Sequence, residues 1–200
     1  MHIFSTTNTD GGGSKSITDA VGATQVFLES QSVTSVMEWC SGPGFWGIGL
    51  LQADIGIKKL LLVDKHEQVG TEVTKTAKLN GLQGVKFCCS DTFDNVPIQQ
   101  FDLIVGNPPH FCVDPFNSHY TDPRKYKDPD WEIHRKFFNT VSEYLTDNGK
   151  IILMENIWGS GPKQFKNMLS ENNLRINRAM TSKQFPNELW YAEIIKKESK

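Results

Sequence analysis

VTSVMEWCSGPGFWGIGLLQAD, residues 33–54, is the stretch whose reading decides the fold. Its first eight residues are rich in β-branched and aromatic side chains, as a buried strand requires. Gly42-Pro43-Gly44-Phe45-Trp46-Gly47 follows, and then an apolar, helix-like run. A G-x-G-x-x-G between a strand and a helix lets the backbone turn sharply and lets a ligand lie against it. The alternation continues downstream. KKLLLVD (58–64), VKFCCSD (85–91), FDLIVG (101–106) and KIILMEN (150–156) read as further strands. HEQVGTEVTKTAKLN (66–80), ending at Gly81, and WEIHRKFFNTVSEYL (131–145), ending before the Asn148-Gly149 turn, read as helices, with a shorter one at 162–173. LRINRAMTSK and LWYAEIIKK, on either side of QFPNE, read as an antiparallel hairpin. Strands alternating with helices predict an α/β fold: a doubly wound, mostly parallel sheet with one antiparallel edge.

Acidic residues follow the glycine turn at strand ends. Asp64 closes the second strand and Asp91 the third, where ligands of open parallel sheets bind. A carboxylate at Asp64 suits a ribose, and one at Asp91 can accept from an adenine amine. Glu38 lies inside an otherwise apolar strand, and a buried carboxylate needs a cation or donors. A sulfonium cofactor with an amino-acid moiety supplies positive charge there, whereas a dinucleotide pyrophosphate is repelled. At the end of FDLIVG stands Asn107-Pro108-Pro109-His110. The prolines fix φ and remove two N–H donors, so this turn presents acceptors to a planar amino group that has two protons to give.

Composition sets bounds. A single domain of 200 residues, with a net charge of −2, buries about 70% of its unfolded surface without disulfides. Basic residues are scattered, against tight unaided binding of long nucleic acid. The cysteines at 40, 88, 89 and 112 have no C-x-x-C spacing and read as reduced packing residues. No secretory start and no membrane-length apolar run occurs, so a cytoplasmic location is expected. Residues 1–16, with Gly11-Gly12-Gly13, read as a flexible arm before a domain at 17–200 that opens on a helix over 17–30. His66 and His119 read as surface residues, and His134 faces either core or loop. No histidine, cysteine and carboxylate set clusters, so no metal is expected.

Glu38, Gly42, Gly44, Asp64, Asp91 and Asn107-Pro108-Pro109-His110, in this order, resemble the class I S-adenosylmethionine-dependent methyltransferases over roughly residues 33–197. Within them the chain is similar to the amino-methylating branch marked by Asn-Pro-Pro-aromatic, which acts on protein glutamine and on adenine or guanine amines. The resemblance implies a Rossmann-like sheet of order 3-2-1-4-5-7-6 with strand seven antiparallel, and S-adenosylmethionine as cofactor. It assigns the cofactor to Glu38, Cys40, Gly42, Gly44, Asp64, Lys65, Asp91, Thr92 and Asn107. Catalysis falls to Asn107, Pro108, Pro109 and His110, with His110 and Phe111 packing on the substrate plane. Two positions depart from the family: Cys40 stands where a glycine is common, and His110 where Tyr or Phe is usual. His110 either stacks on the substrate or acts as a base.

The implied reaction is methyl transfer to a planar amino or amide nitrogen. The acceptor is a protein glutamine, an RNA or DNA base or a small amine, with a helper protein for target recognition. The glutamine-modifying relatives carry an extra N-terminal domain, and about thirty residues before strand one are too few for a second core. Segment 112–130 reads as a lid, with Phe116, Tyr120, Arg124 and Tyr126 placed to touch substrate. Two other readings compete: a nicotinamide-dependent oxidoreductase using the same glycine turn, and a non-catalytic scaffold that binds cofactor.

Overall fold

The computed structural model describes residues 2–6, 8–10, 13–29, 31–114 and 123–197. Seven strands form one sheet: β1 (Ser35–Trp39), β2 (Lys59–Asp64), β3 (Val85–Cys89), β4 (Phe101–Gly106), β5 (Leu145–Asn156), β6 (Leu174–Thr181) and β7 (Leu189–Lys196). Their order is β3-β2-β1-β4-β5-β7-β6, as expected of the Rossmann-like class. Pairing is parallel from β3 to β5, and β7 runs antiparallel to both β5 and β6.

Helices cover both faces. α1 (Gly13–Leu28), α2 (Phe45–Gln52) and α3 (Gln68–Asn80) lie on one, and α4 (Glu132–Thr140) and α5 (Pro162–Glu171) on the other. Adjacent strand residues point oppositely, so Val36, Leu60 and Leu62 join Phe27, Ile48 and Tyr191 on the first face. Met37, Trp39 and Ile104 join Phe137, Phe138 and Phe165 on the second. This two-sided burial is why the central strands are continuously apolar rather than alternating.

Some boundaries differ from the sequence reading. α1 begins at Gly13, so the last glycine of the triplet is already helical. α4 stops at Thr140 and gives way to a short 3-10 turn, and β5 starts at Leu145. The β4–β5 register shifts between Phe101 and Leu103, which absorbs the Asn148-Gly149 turn inside the strand. Of the expected lid, Phe116 and Tyr120 lie outside the described residues, as does the side chain of Arg124, and so does His119. Among the described residues no helix is long and apolar enough to cross a membrane.

Candidate functional site

The glycine turn bends where β1 ends. Cys40, Gly42 and Gly44 take left-handed φ values of 51°, 47° and 84°. Cys40 therefore holds a conformation that glycine adopts at less cost, which is the physical reason a glycine is common there. A Cβ on Gly44 would lie 2.4 Å from Leu62 Cδ1, so this glycine serves the packing of α2 on β2. A Cβ on Gly42 would meet the Thr9 carbonyl oxygen at 2.8 Å.

The turn's amides are already committed. Gly42 N–H donates to Asp64 Oδ2 (2.9 Å) and Gly44 N–H to the Ser41 carbonyl (2.9 Å). At the start of α2, Trp46 and Gly47 N–H donate to the two oxygens of Glu38 at 3.3 and 2.7 Å. Glu38 thus meets its need for donors through the helix terminus, where a negative charge is favoured. Burial pushes its carboxyl up to about 8, against the pull of the Gly47 and Trp46 amides. A pyrophosphate would find these donors occupied and the Asp64 carboxylate beside them.

Beside the turn, at the carboxyl ends of β1, β2 and β4, lies a cavity of about 140 Å³. Among the residues expected to bind cofactor, Glu38, Cys40, Gly42, Asp64, Lys65, Asp91, Thr92 and Asn107 line it, and Gly44 does not. Pro109 also lines it, whereas Pro108, His110 and Phe111 do not. The cavity has apolar walls with the acidic side chains of Glu38, Asp64 and Asp91 among its lining, which suits a nucleoside with a cationic tail. Asn107 Oδ1 is buried there without a hydrogen-bond partner. Buried acceptors are nearly always paired, and this oxygen is an exception.

Several polar lining residues lay outside the sequence expectations. Asn8 and Thr9 reach the cavity from the N-terminal segment, and Lys125 from beyond the motif loop, with its Nζ donating to the Asp10 carbonyl at 3.1 Å. His66, expected at the surface, lines the cavity, and its Nδ1 meets Asp64 Oδ1 at 2.8 Å. The side chain two residues past a strand-end Asp was the available signal for His66. Nothing in residues 8–10 has a period that would place them here. The N-terminal segment also bonds to α3, through Phe4 N–H to Thr76 Oγ1 (3.0 Å) and Asn80 Nδ2 to the His2 carbonyl (2.8 Å).

The motif loop is pinned at its back. Asp128 N–H donates to the Phe111 carbonyl at 2.8 Å, and Phe111 N–H donates to the Tyr126 carbonyl at 2.9 Å. Tyr126, expected to touch substrate from the lid, is buried against Phe111. His110 is 8% exposed and its Nδ1 meets Glu155 Oε2 at 3.3 Å. Its ring edge is held by that carboxylate, which a stacking residue alone does not need. His134 lies wholly in the core, between Asp128 and Glu155. Among the described residues no group of three or more His, Cys, Asp or Glu is placed to hold a metal ion.

The sheet order and the glycine cradle define the Rossmann-like methyltransferase fold. A model of the methyltransferase small domain matches residues 3–180, and the chain belongs to that family. It is 32% identical, over 131 residues, to the ribosomal protein uL3 glutamine methyltransferase of Francisella tularensis, covering 60% of this chain and 41% of the relative. The same organism's release factor glutamine methyltransferase is 34% identical over 60 residues, which is 30% of this chain and 21% of that one. The chain thus spans less than half the length of the curated relatives it matches. Among solved structures, the N-methyltransferase NodS of Bradyrhizobium japonicum, in complex with S-adenosylhomocysteine, superposes with a TM-score of 0.65 at 14% identity, covering 94% of this chain and 90% of that one. A T. thermophilus 16S rRNA N2 methyltransferase, in complex with AdoMet and guanosine, gives 0.62 at 17%, covering 90% and 42%. At such identities the structural likeness speaks for the fold.

Proposed function

We propose that the chain is an S-adenosylmethionine-dependent N-methyltransferase that acts on a planar amino or amide nitrogen, a protein glutamine or a nucleobase amine. The observation that carries this reading is the unpartnered, buried Oδ1 of Asn107 at the wall of the cavity beside the glycine turn. The orphan acceptor and the committed turn amides both favour a nucleoside with a cationic tail over a dinucleotide. Asp64 and Asp91 would hold its hydroxyl and amino groups, with Cys40, Lys65 and Thr92 against its body.

When bound, S-adenosylmethionine supplies a methyl carbon activated by a positively charged sulfur. The chain's task is then to aim a poor nucleophile. Asn107 Oδ1 accepts one N–H of the acceptor amine and the Pro108 carbonyl the other, which turns the nitrogen lone pair toward the cofactor side. The same two oxygens stabilise the positive charge that grows on nitrogen in the transition state. The proline rings hold this geometry without rearrangement at the moment of reaction. A cytoplasmic setting and a helper protein for target recognition belong to the same reading.

Ligand-induced thermal shift tests the cofactor half. S-adenosylhomocysteine is expected to raise the melting temperature, and NAD or NADP to leave it unchanged. Transfer of labelled methyl into fractionated lysate, followed by nuclease or protease digestion, then shows which class of molecule carries the label. Stabilisation by NAD alone would replace this reading with the oxidoreductase one.

A further inference from the structure

Tryptophan carries one of the largest apolar surfaces a side chain can bury, yet Trp158 is 79% exposed, more than any other large hydrophobic residue described. Its backbone and ring are nevertheless held. Trp158 N–H donates to Asn156 Oδ1 at 2.9 Å, and the indole Nε1 donates to the Asn187 carbonyl at 3.0 Å. On either side, Ile157 N–H donates to the Glu188 carbonyl at 2.8 Å, and the Ser160 carbonyl accepts from Trp190 Nε1 at 3.1 Å. A ring fixed in this way has already lost its conformational freedom, so a partner that covers it does not bear that cost. Ile157, next to it, is 40% exposed.

The loop that carries this ring abuts the motif loop. It follows β5, whose carboxyl end lies beside that of β4, where Asn107 stands. A Cβ on Gly159 would strike the His110 carbonyl oxygen and Phe111 Cδ1, so the two loops touch. Followed through that contact, the path from Asn107 to the Trp158 backbone is at most about 21 Å. A polypeptide held at Asn107 therefore comes over the indole within about six extended residues. Val113, 72% exposed, stands two residues past Phe111 on the other side of the contact.

Charge and side-chain type decide between a protein and a nucleic acid. A nucleic acid needs cations free for its phosphates. The lysines that follow the motif loop are taken: Lys125 by the Asp10 carbonyl (3.1 Å), Lys127 by Asp114 (2.9 Å) and Lys136 by Asp94 (2.6 Å). α5 starts four residues after Trp158, and its exposed Lys163 and Lys166 form no ion pair among the described residues. Two such charges suit an acidic side chain and are too few to follow a phosphate backbone. Ile157 and Val113 are aliphatic, so they gain by meeting apolar side chains and give bases nothing to stack on. We propose that Trp158, with Ile157 and Val113, is the docking surface for a protein that carries the methylated amide. That protein sets an apolar side chain on the indole within about six residues of its target glutamine, with an acidic residue toward Lys163 and Lys166. This rests on the methyl-transfer reading above and narrows its acceptor to protein.

Labelled methyl transfer by the full chain into lysate, followed by protease or nuclease digestion, tests this. Wild-type label is expected in the protease-sensitive fraction. Trp158→Ser is expected to lower its incorporation at least about tenfold at low lysate protein, and more lysate protein should make up most of the loss, as a binding defect requires. In Asn107→Ala more lysate protein should not help. Trp158→Phe keeps an aromatic ring without the indole N–H and should recover most of the rate, which separates surface contact from the bond to Asn187. Affinity for S-adenosylhomocysteine, read by calorimetry, should stay that of the wild type in both Trp158 variants. Val113→Asp, at an exposed position, should repeat the loss should Trp158→Ser fail to fold. Wild-type incorporation by these variants at low lysate protein overturns the proposal. So does label released by nuclease, which would give the surface to a nucleic acid, and so does a dimer that Trp158→Ser dissociates in sedimentation, which would give it to a second copy. No label in any fraction with the wild type is the failure of the methyl-transfer reading itself, and this inference falls with it.

Discussion

Glu38 and His134 show how single residues set the conditions under which this fold stands. One is a buried acid held by helix amides, the other a buried base held by two carboxylates. His134 rises from 6.5 to about 9 on folding, so its contribution is fully present below 6.5 and is lost as pH climbs through 9. That amounts to about 3 kcal/mol at most. Glu38 rises from 4.5 to about 8, so the folded state binds the extra proton and its contribution also declines as pH rises between those values. Urea denaturation is expected to show stability falling between pH 6.5 and 9, and the part of the fall above pH 8, beyond the range of Glu38, should shrink in His134→Gln. A stability that rises over that interval would contradict the assignment. The sequence left His134 undecided between core and loop because its partners, Asp128 and Glu155, lie on other elements. Contacts of that kind have no periodic signature.

At the scale of elements, the sheet was legible because both of its faces are covered. Continuous apolar runs such as FDLIVG and KLLLVD announce buried parallel strands, and the antiparallel hairpin announces itself by its turn. The glycine turn and Asn107 were legible for the same reason, since each sits at the end of such a run. Helix ends were less so. α4 fails to continue past Thr140 although the apolar steps do, because the chain tightens there into a 3-10 turn before entering β5. The loop after β5 was invisible as a support, yet a Cβ on Gly159 would come within 2.1 Å of the His110 carbonyl oxygen and 2.6 Å of Phe111 Cδ1. Gly159→Ala must therefore displace the motif loop. We expect about 1–3 kcal/mol of lost stability in denaturant titration and a larger proportional loss of methyl transfer. An alanine variant with wild-type stability and rate would show that the two loops do not support each other.

On the scale of the whole molecule, the N-terminal segment closes a circuit that a reading of local patterns cannot see. Residues 2–6 lie along α3, Thr9 lies over Gly42, and Asp10 is bound by Lys125 from beyond the motif loop. The glycine turn and the segment after the motif loop are thereby tied through residues 9 and 10. Removal of residues 1–10 is expected to weaken S-adenosylhomocysteine binding about tenfold or more in calorimetry while the far-ultraviolet circular dichroism stays that of the intact fold. Unchanged affinity would assign the segment to packing on α3 alone.

The account turns on the orphan acceptor at the cavity wall. Asn107→Ala, assayed for labelled methyl transfer and for S-adenosylhomocysteine affinity in the same preparation, isolates it. We predict a rate lowered by roughly a hundredfold or more with affinity nearly unchanged. A variant that keeps its rate, or that loses cofactor affinity in proportion to rate, would contradict the role given to Asn107.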